Sequence, residues 1–271
     1  MMRADHGKFE MVQGGGRIIA ERRGGVGSIT IANPDRHNAI SNDMWWAITD
    51  AALALDADPE VRVVTIEGHG RKAFASGADI SRFEAADGPV TRGGGAFSTA
   101  CATVHAVSKP TIAVIRGWCL GGGMALAISC DLRMANDAAR FGIPAAKLSI
   151  GYPIEGLRRI VELVGLSTAK EIMFTARQYN AAEALRLGMV NHVLADEALD
   201  EFAASYIAAI AGGAPLTQKG AKLALAELAK DESRRDLAAA EAIIAQCAGS
   251  RDHAEGTRAF LEKRRPVFSG T

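Results

Sequence analysis

Three consecutive glycines, Gly121-Gly122-Gly123, separate two apolar runs, and no other stretch constrains the fold so tightly. Upstream, Thr111 to Ile115 reads as a buried strand. Downstream, Met124 to Ser129 has the small apolar composition of a buried helix. Glycines at such a juncture allow positive φ and let the backbone approach a ligand closely. The first N–H groups of the helix have no internal partner and lie at the positive end of its dipole. The wider turn, Gly117-Trp118-Cys119-Leu120-Gly121-Gly122-Gly123-Met124-Ala125, therefore suits an oxygen that becomes negative during a reaction. A turn that merely packs helix against strand would use the same residues. The functional reading gains from a second stretch, Ala73-Phe74-Ala75-Ser76-Gly77-Ala78-Asp79-Ile80.

The 271 residues suffice for one large domain, or one with a smaller appendage. With 48% hydrophobic and 23% charged residues, a sizeable core is available. The formal net charge of zero argues against a sequence-independent nucleic-acid or anionic-membrane partner. No apolar run approaches the ~20 residues of a membrane span. The polar start, Met1 to Gln13, lacks the apolar segment of a signal peptide. Cys101, Cys119, Cys130 and Cys247 form no C-x-x-C pair and read as reduced, mostly buried thiols of a cytoplasmic protein.

Met1 to Gly16 reads as a loose lead-in. Ile18 to Arg23 and Val26 to Ile31 read as strands of a hairpin across Gly24-Gly25. Asn33-Pro34-Asp35 turns the chain, and Ser41 caps a helix with Ile40, Met44, Ile48, Ala51 and Leu55 on its apolar face. Val61 to Ile66 and Asp131 to Ala135 read as further strands and Phe97 to Val107 as a helix. Gly68 to Gly77 is a turn-rich connection, and Ala85 to Gly95 reads as a mobile, Gly-rich lid. Strands alternating with helices imply a mainly parallel sheet. From Leu157 onward the pattern is helical, with a capping-box-like Asn180-Ala181-Ala182-Glu183 and a helix start at Pro215. The expected division is an α/β core over 1–195 and a helical part over 196–271.

Phosphate-loop, dinucleotide, zinc-protease and hydrolase-elbow motifs are all missing, and the six histidines are scattered singly, so no metal site is expected. What the chain does resemble is the enoyl-CoA hydratase/isomerase (crotonase) superfamily. The resemblance rests on Asn33 to Ile40, Phe74 to Ile80, Lys109-Pro110, Gly117 to Gly123, Cys130-Asp131, Phe141-Gly142-Ile143-Pro144, Ala181 to Val190 and Phe260 to Arg264, in that order. It implies a spiral of ββα units, with a helical C-terminal region that builds homotrimers or hexamers. It implies a coenzyme A thioester as substrate and no separate cofactor. It also implies that the backbone N–H groups of Ala78 and Gly122 hold the thioester carbonyl. Ala75, Ala78, Asp79, Ile80 and Gly121 would line the substrate site. Arg36 and Lys263 are either phosphate contacts or solvated surface charges.

The resemblance also exposes a departure. The superfamily's hydratases carry a glutamate two residues after the last glycine of the turn and another directly after Phe-Gly-x-Pro. Here these positions are Ala125 and Ala145, and alanine transfers no proton. Glu155 is the remaining candidate acid/base, although the same residue could simply cap its helix. Tyr152 is a possible proton donor, while Ser76, Cys119 and His105 could also reach a pocket. Two functions follow as expectations: an acyl-CoA enzyme running an enolate-type reaction, or a non-catalytic acyl-CoA-binding protein. An RNA-binding relative is disfavoured by zero net charge and 6% aromatic residues.

Overall fold

The hairpin expected around Gly24-Gly25 is the antiparallel start of the main sheet. In the computed structural model, which describes residues 4–5, 8–13, 16–79 and 95–271, β3 (Gly16–Arg23) and β4 (Val26–Ala32) pair from Arg17↔Ala32 to Arg23↔Val26. Part of the expected loose lead-in is strand. There β1 (Ala4–Asp5) and β2 (Lys8–Gln13) add two antiparallel strands at the β3 edge. Their order comes from pairing with an open strand edge, which local sequence does not announce.

Beyond β4 the sheet turns parallel. β5 (Val63–Gly68), β7 (Thr111–Ile115), β9 (Leu132–Asn136) and β12 (His192–Leu194) follow side by side. Between them the chain makes a second, smaller sheet from β6 (Ala73–Ala75), β8 (Trp118–Leu120), β10 (Arg140–Gly142) and β11 (Tyr179–Asn180), in the order β11-β10-β8-β6. Each turn of the chain thus lays one strand in the large sheet and a short one in the small sheet before a helix. The helices are α2 (Ala96–Ala106), α3 (Gly122–Ser129) and α4 (Ile154–Thr175). This is the expected ββα spiral. The short strands β6 and β8 fall where turns were expected. Three residues carry no alternation, and only partners distant in sequence make them strands.

Helix α1 (Asn42–Ala57) begins as read, with Ser41 Oγ accepting from Met44 N at 3.3 Å. Ile40, Met44, Ile48, Ala51 and Leu55 are all buried against the sheet. Asp131 fixes β7 against α3: its Oδ2 accepts from Thr111 N at 2.7 Å and Thr111 Oγ1 at 2.8 Å. Lys222, on α7 (Pro215–Leu228), reaches the same oxygen at 2.7 Å. Before it, α5 (Ala181–Arg186) carries the full Asn180/Glu183 capping box, and α6 (Leu199–Ala211) covers the second sheet face through Leu199 and Ala203. Then α8 (Leu237–Ala248) packs on α7, and α9 (Arg251–Leu261) precedes the C-terminal tail. Among the described residues no helix is long and apolar enough to cross a membrane, and no cluster of three metal-ligating side chains occurs.

The tail folds back on α9. Glu255 accepts from Arg264 Nη1 at 2.6 Å and from Val267 N at 3.0 Å. The Arg264 guanidinium and the Val267 N–H hold the Glu255 carboxyl down at about 2, against an ordinary 4.5. A depressed carboxylate stabilises the fold fully above 4.5 and loses that effect as pH falls toward about 2. A fluorophore placed at Val267→Cys should therefore lose anisotropy across that window. Glu255→Gln should show the low anisotropy already at neutral pH. Unchanged anisotropy in both would rule this clasp out.

Candidate active site

Each glycine of the central turn meets a different steric demand. Gly117 (φ +60) turns β7 into β8, and a Cβ there would lie 1.9 Å from Lys72 O. Gly121 (φ +51) turns β8 into α3, and its N–H donates to Gly142 O at 2.8 Å. A Cβ on Gly123 would lie 2.3 Å from Ala75 O, so α3 rests directly on β6. Gly122 differs, because a Cβ there would meet the Trp45 ring at 3.1 Å and Ala78 N at 3.3 Å. The space beside Gly122 thus opens onto the Ala78 N–H.

Ala78 is aimed that way by a parallel bridge with Ile40. Ile40 N donates to Gly77 O at 2.9 Å and Asp79 N donates to Ile40 O at 2.9 Å. Both bonds use Ala78's neighbours. In an extended chain its own N–H then faces the opposite side, toward Gly122. The N–H of Gly122 is the first of α3 and has no intrahelical partner. The bridge is held in place by Asn38, which is buried and has φ +56. Its Oδ1 accepts from Asn33 N at 3.0 Å, and its Nδ2 donates to His69 O at 3.1 Å and Ala73 O at 2.7 Å. Asparagine tolerates the left-handed region and still offers both donor and acceptor. Sequence reading used Asn38 only as part of a motif, because its partners lie 31 and 35 residues away.

The structure brings Ala75, Ala78, Asp79, Gly121 and Gly122 together. Arg36 Nη1 contacts both carboxylate oxygens of Asp79, at 3.1 and 3.2 Å. Ser76 Oγ donates to Arg36 O at 3.2 Å. Trp45 and Phe97 meet edge to face at 5.1 Å beside the turn. Ile80 and the Gly-rich stretch up to residue 94 lie outside the described residues. Ala125 and Ala145 are buried. Lys263 is exposed beyond the end of α9, with no hydrogen bond or ion pair to the described residues around Gly122. Glu155 occupies the first turn of α4 with its side chain 70% exposed, bonded to Arg158 Nε at 3.0 Å. Cys119 is fully buried, which pushes its thiol far above the ordinary range, and His105 is exposed on α2. The Tyr152 hydroxyl is buried without a partner among the described residues.

This arrangement of paired glycine-rich turns across a ββα spiral has close counterparts. The family model for enoyl-CoA hydratase/isomerase matches residues 21–271. The chain belongs to the enoyl-CoA hydratase/isomerase family. It is 33% identical to the short-chain-enoyl-CoA hydratase of Clostridium acetobutylicum, over 92% of this chain and 95% of that one. It is 34% identical to the crotonyl-CoA hydratase of Syntrophomonas wolfei, over 93% and 97%. Among solved structures, an enoyl-CoA hydratase/carnithine racemase from Magnetospirillum magneticum superposes with a TM-score of 0.85 at 33% identity, covering 97% of each chain. An acyl-CoA thioester as substrate is consistent with membership of this family.

Proposed function

We propose that the protein is an acyl-CoA enzyme that stabilises a thioester enolate between the N–H groups of Ala78 and Gly122. The observation that carries this reading is the 3.3 Å approach of Ala78 N to the vacant Cβ position of Gly122. Two backbone donors, one of them at a helix N-terminus, favour a carbonyl oxygen as negative charge develops on it. Ala78 is held by its bridge to Ile40 and Gly122 by the start of α3, so neither donor needs to reorganise during reaction. Asp79, Ala75 and Gly121 flank the hole, and Ile80 continues the same segment. Arg36 and Lys263 would contact the phosphates of coenzyme A. For Arg36 this requires sharing its guanidinium with Asp79.

In this reading the reaction differs from hydration by two glutamates, because Ala125 and Ala145 stand where those carboxylates would act. Glu155 is the proposed acid/base, and its exposure in one chain requires a rotation or a neighbouring subunit to enclose it. Exposed Phe174 and Phe260, with 76% and 83% of their surface open, support assembly into homotrimers or hexamers. We place the protein in the cytoplasm, in keeping with its free cysteines.

A non-catalytic acyl-CoA-binding protein is the second reading, favoured by the Glu155–Arg158 ion pair and the two alanines. Crotonyl-, 3-enoyl-, malonyl-type and β-hydroxyacyl-CoA thioesters, tested with wild type and Glu155→Gln, separate the two. Turnover is expected on at least one thioester, with a loss of ~100-fold or more in the variant. Binding without turnover on any thioester would establish the second reading. Full activity of Glu155→Gln would remove Glu155 from the mechanism.

A further inference from the structure

The start of α4 buries polar groups that the proposed chemistry does not use. Arg159 is only 9% exposed. Its Nη1 donates to Cys101 O on α2 at 3.0 Å and to Ser129 Oγ on α3 at 2.9 Å. Its Nε is buried with no partner among the described residues. Glu155 and Glu162 act on this charge only from a distance, since both bond Arg158 instead. Tyr152, just before the helix, also buries a hydroxyl with no partner among the described residues. Burial lowers the pKa of Arg159 and raises that of Tyr152, and the Arg159 charge acts on Tyr152. A guanidinium and a tyrosine hydroxyl are both hydrogen-bond donors.

This cluster is continuous with the central turn. Ser129 Oγ, which accepts from Arg159, donates to Ala125 O at 2.8 Å. Ala125 stands three residues past Gly122, roughly 4.5 Å along the axis of α3. Buried polar atoms are almost always hydrogen-bonded, and a buried cation is normally paired with an anion. A guanidinium left with a free Nε, beside a free tyrosine hydroxyl, has the donors for one bound anion.

We propose that Arg159 and Tyr152 bind a carboxylate carried on the acyl group, making the substrates coenzyme A thioesters of dicarboxylic acids. The inference rests on the acyl-CoA reading above. The thioester carbonyl is held at Ala78 and Gly122 and the distal carboxylate at Arg159. Both ends of a short acyl chain are then tethered, and the reacting carbons lie between them.

Calorimetric titration tests this with two pairs matched in carbon number, glutaryl-CoA against valeryl-CoA and adipyl-CoA against hexanoyl-CoA. At least one dicarboxylic thioester should bind about tenfold or more tightly than its neutral counterpart. Tyr152→Phe should reduce that preference. Arg159→Gln should abolish it in protein whose circular dichroism is native. The wild-type comparison stands even if that variant does not fold. Equal affinity within each pair would overturn the carboxylate site and leave the acyl-CoA reading intact. Failure of all four thioesters to bind would overturn both.

Discussion

Gly122→Ala is expected to lower kcat/KM by ~100-fold or more on whichever thioester the protein turns over, with little loss of fold stability. The added methyl would sit 3.3 Å from Ala78 N, in the space that the proposed site leaves for the thioester oxygen. Its other close neighbour is the edge of the Trp45 ring at 3.1 Å, a contact that a small ring shift relieves. Backbone φ imposes no penalty, because Gly122 lies in regular helix. Gly123→Ala is the contrasting control. There the methyl would meet Ala75 O at 2.3 Å, a backbone atom that cannot move without shifting β6. That variant should lose stability as well as activity. Steady-state kinetics with thermal unfolding of both proteins decides the matter. A Gly122→Ala enzyme of wild-type activity would show that the carbonyl is held elsewhere.

Asn38→Ala should be the most damaging single substitution for stability outside the hydrophobic core. Three hydrogen bonds disappear, leaving Asn33 N, His69 O and Ala73 O short of a partner. Each buried orphan costs ~1–3 kcal/mol, so a loss of at least ~3 kcal/mol is expected. Alanine at φ +56 adds backbone strain. Activity at low temperature should fall too, because Asn38 holds the turn that bridges to Ala78. Denaturant unfolding measures the first effect and kinetics below the transition the second. A stability change under ~1 kcal/mol would mean that the turn is held by its remaining backbone bonds alone.

Much of this architecture is written locally. The Ser41 cap, the Leu55 and Ile48 face of α1, the hairpin at Gly24-Gly25 and the Asn180 capping box all depend on residues within one or two turns of each other. Short-range periodicity and capping chemistry therefore find them. The strands β6 and β8 escape such reading, since three residues define no period and their hydrogen bonds go to partners far along the chain. The lead-in strands are the contrary case, because β2 pairs with β3 from Gln13↔Gly16 and its partners are close in sequence. Arg159 is the clearest case at the site. In the sequence it is one of two adjacent arginines on a polar helix, Arg158-Arg159. Helix phase sends Arg158 to solvent and its glutamates, and Arg159 into the core.

The sequence by itself determined the backbone chemistry of the central turn. Glycine is what suits φ +51 with ψ −115 at Gly121 and the 2.3 Å approach at Gly123, so the triplet specified a sharp strand-to-helix juncture before any contact was known. It also determined that alanines occupy positions 125 and 145, and hence that no carboxylate acts from either. Tertiary structure decided what faces the turn. Ala78 points at Gly122 because Ile40 claims the hydrogen bonds on either side of it, and Asn38 fixes that bridge from across the chain. It also placed Glu155 in solvent and Arg159 in the core. Such orientations depend on pairing and packing between residues remote in sequence, and no local pattern encodes them.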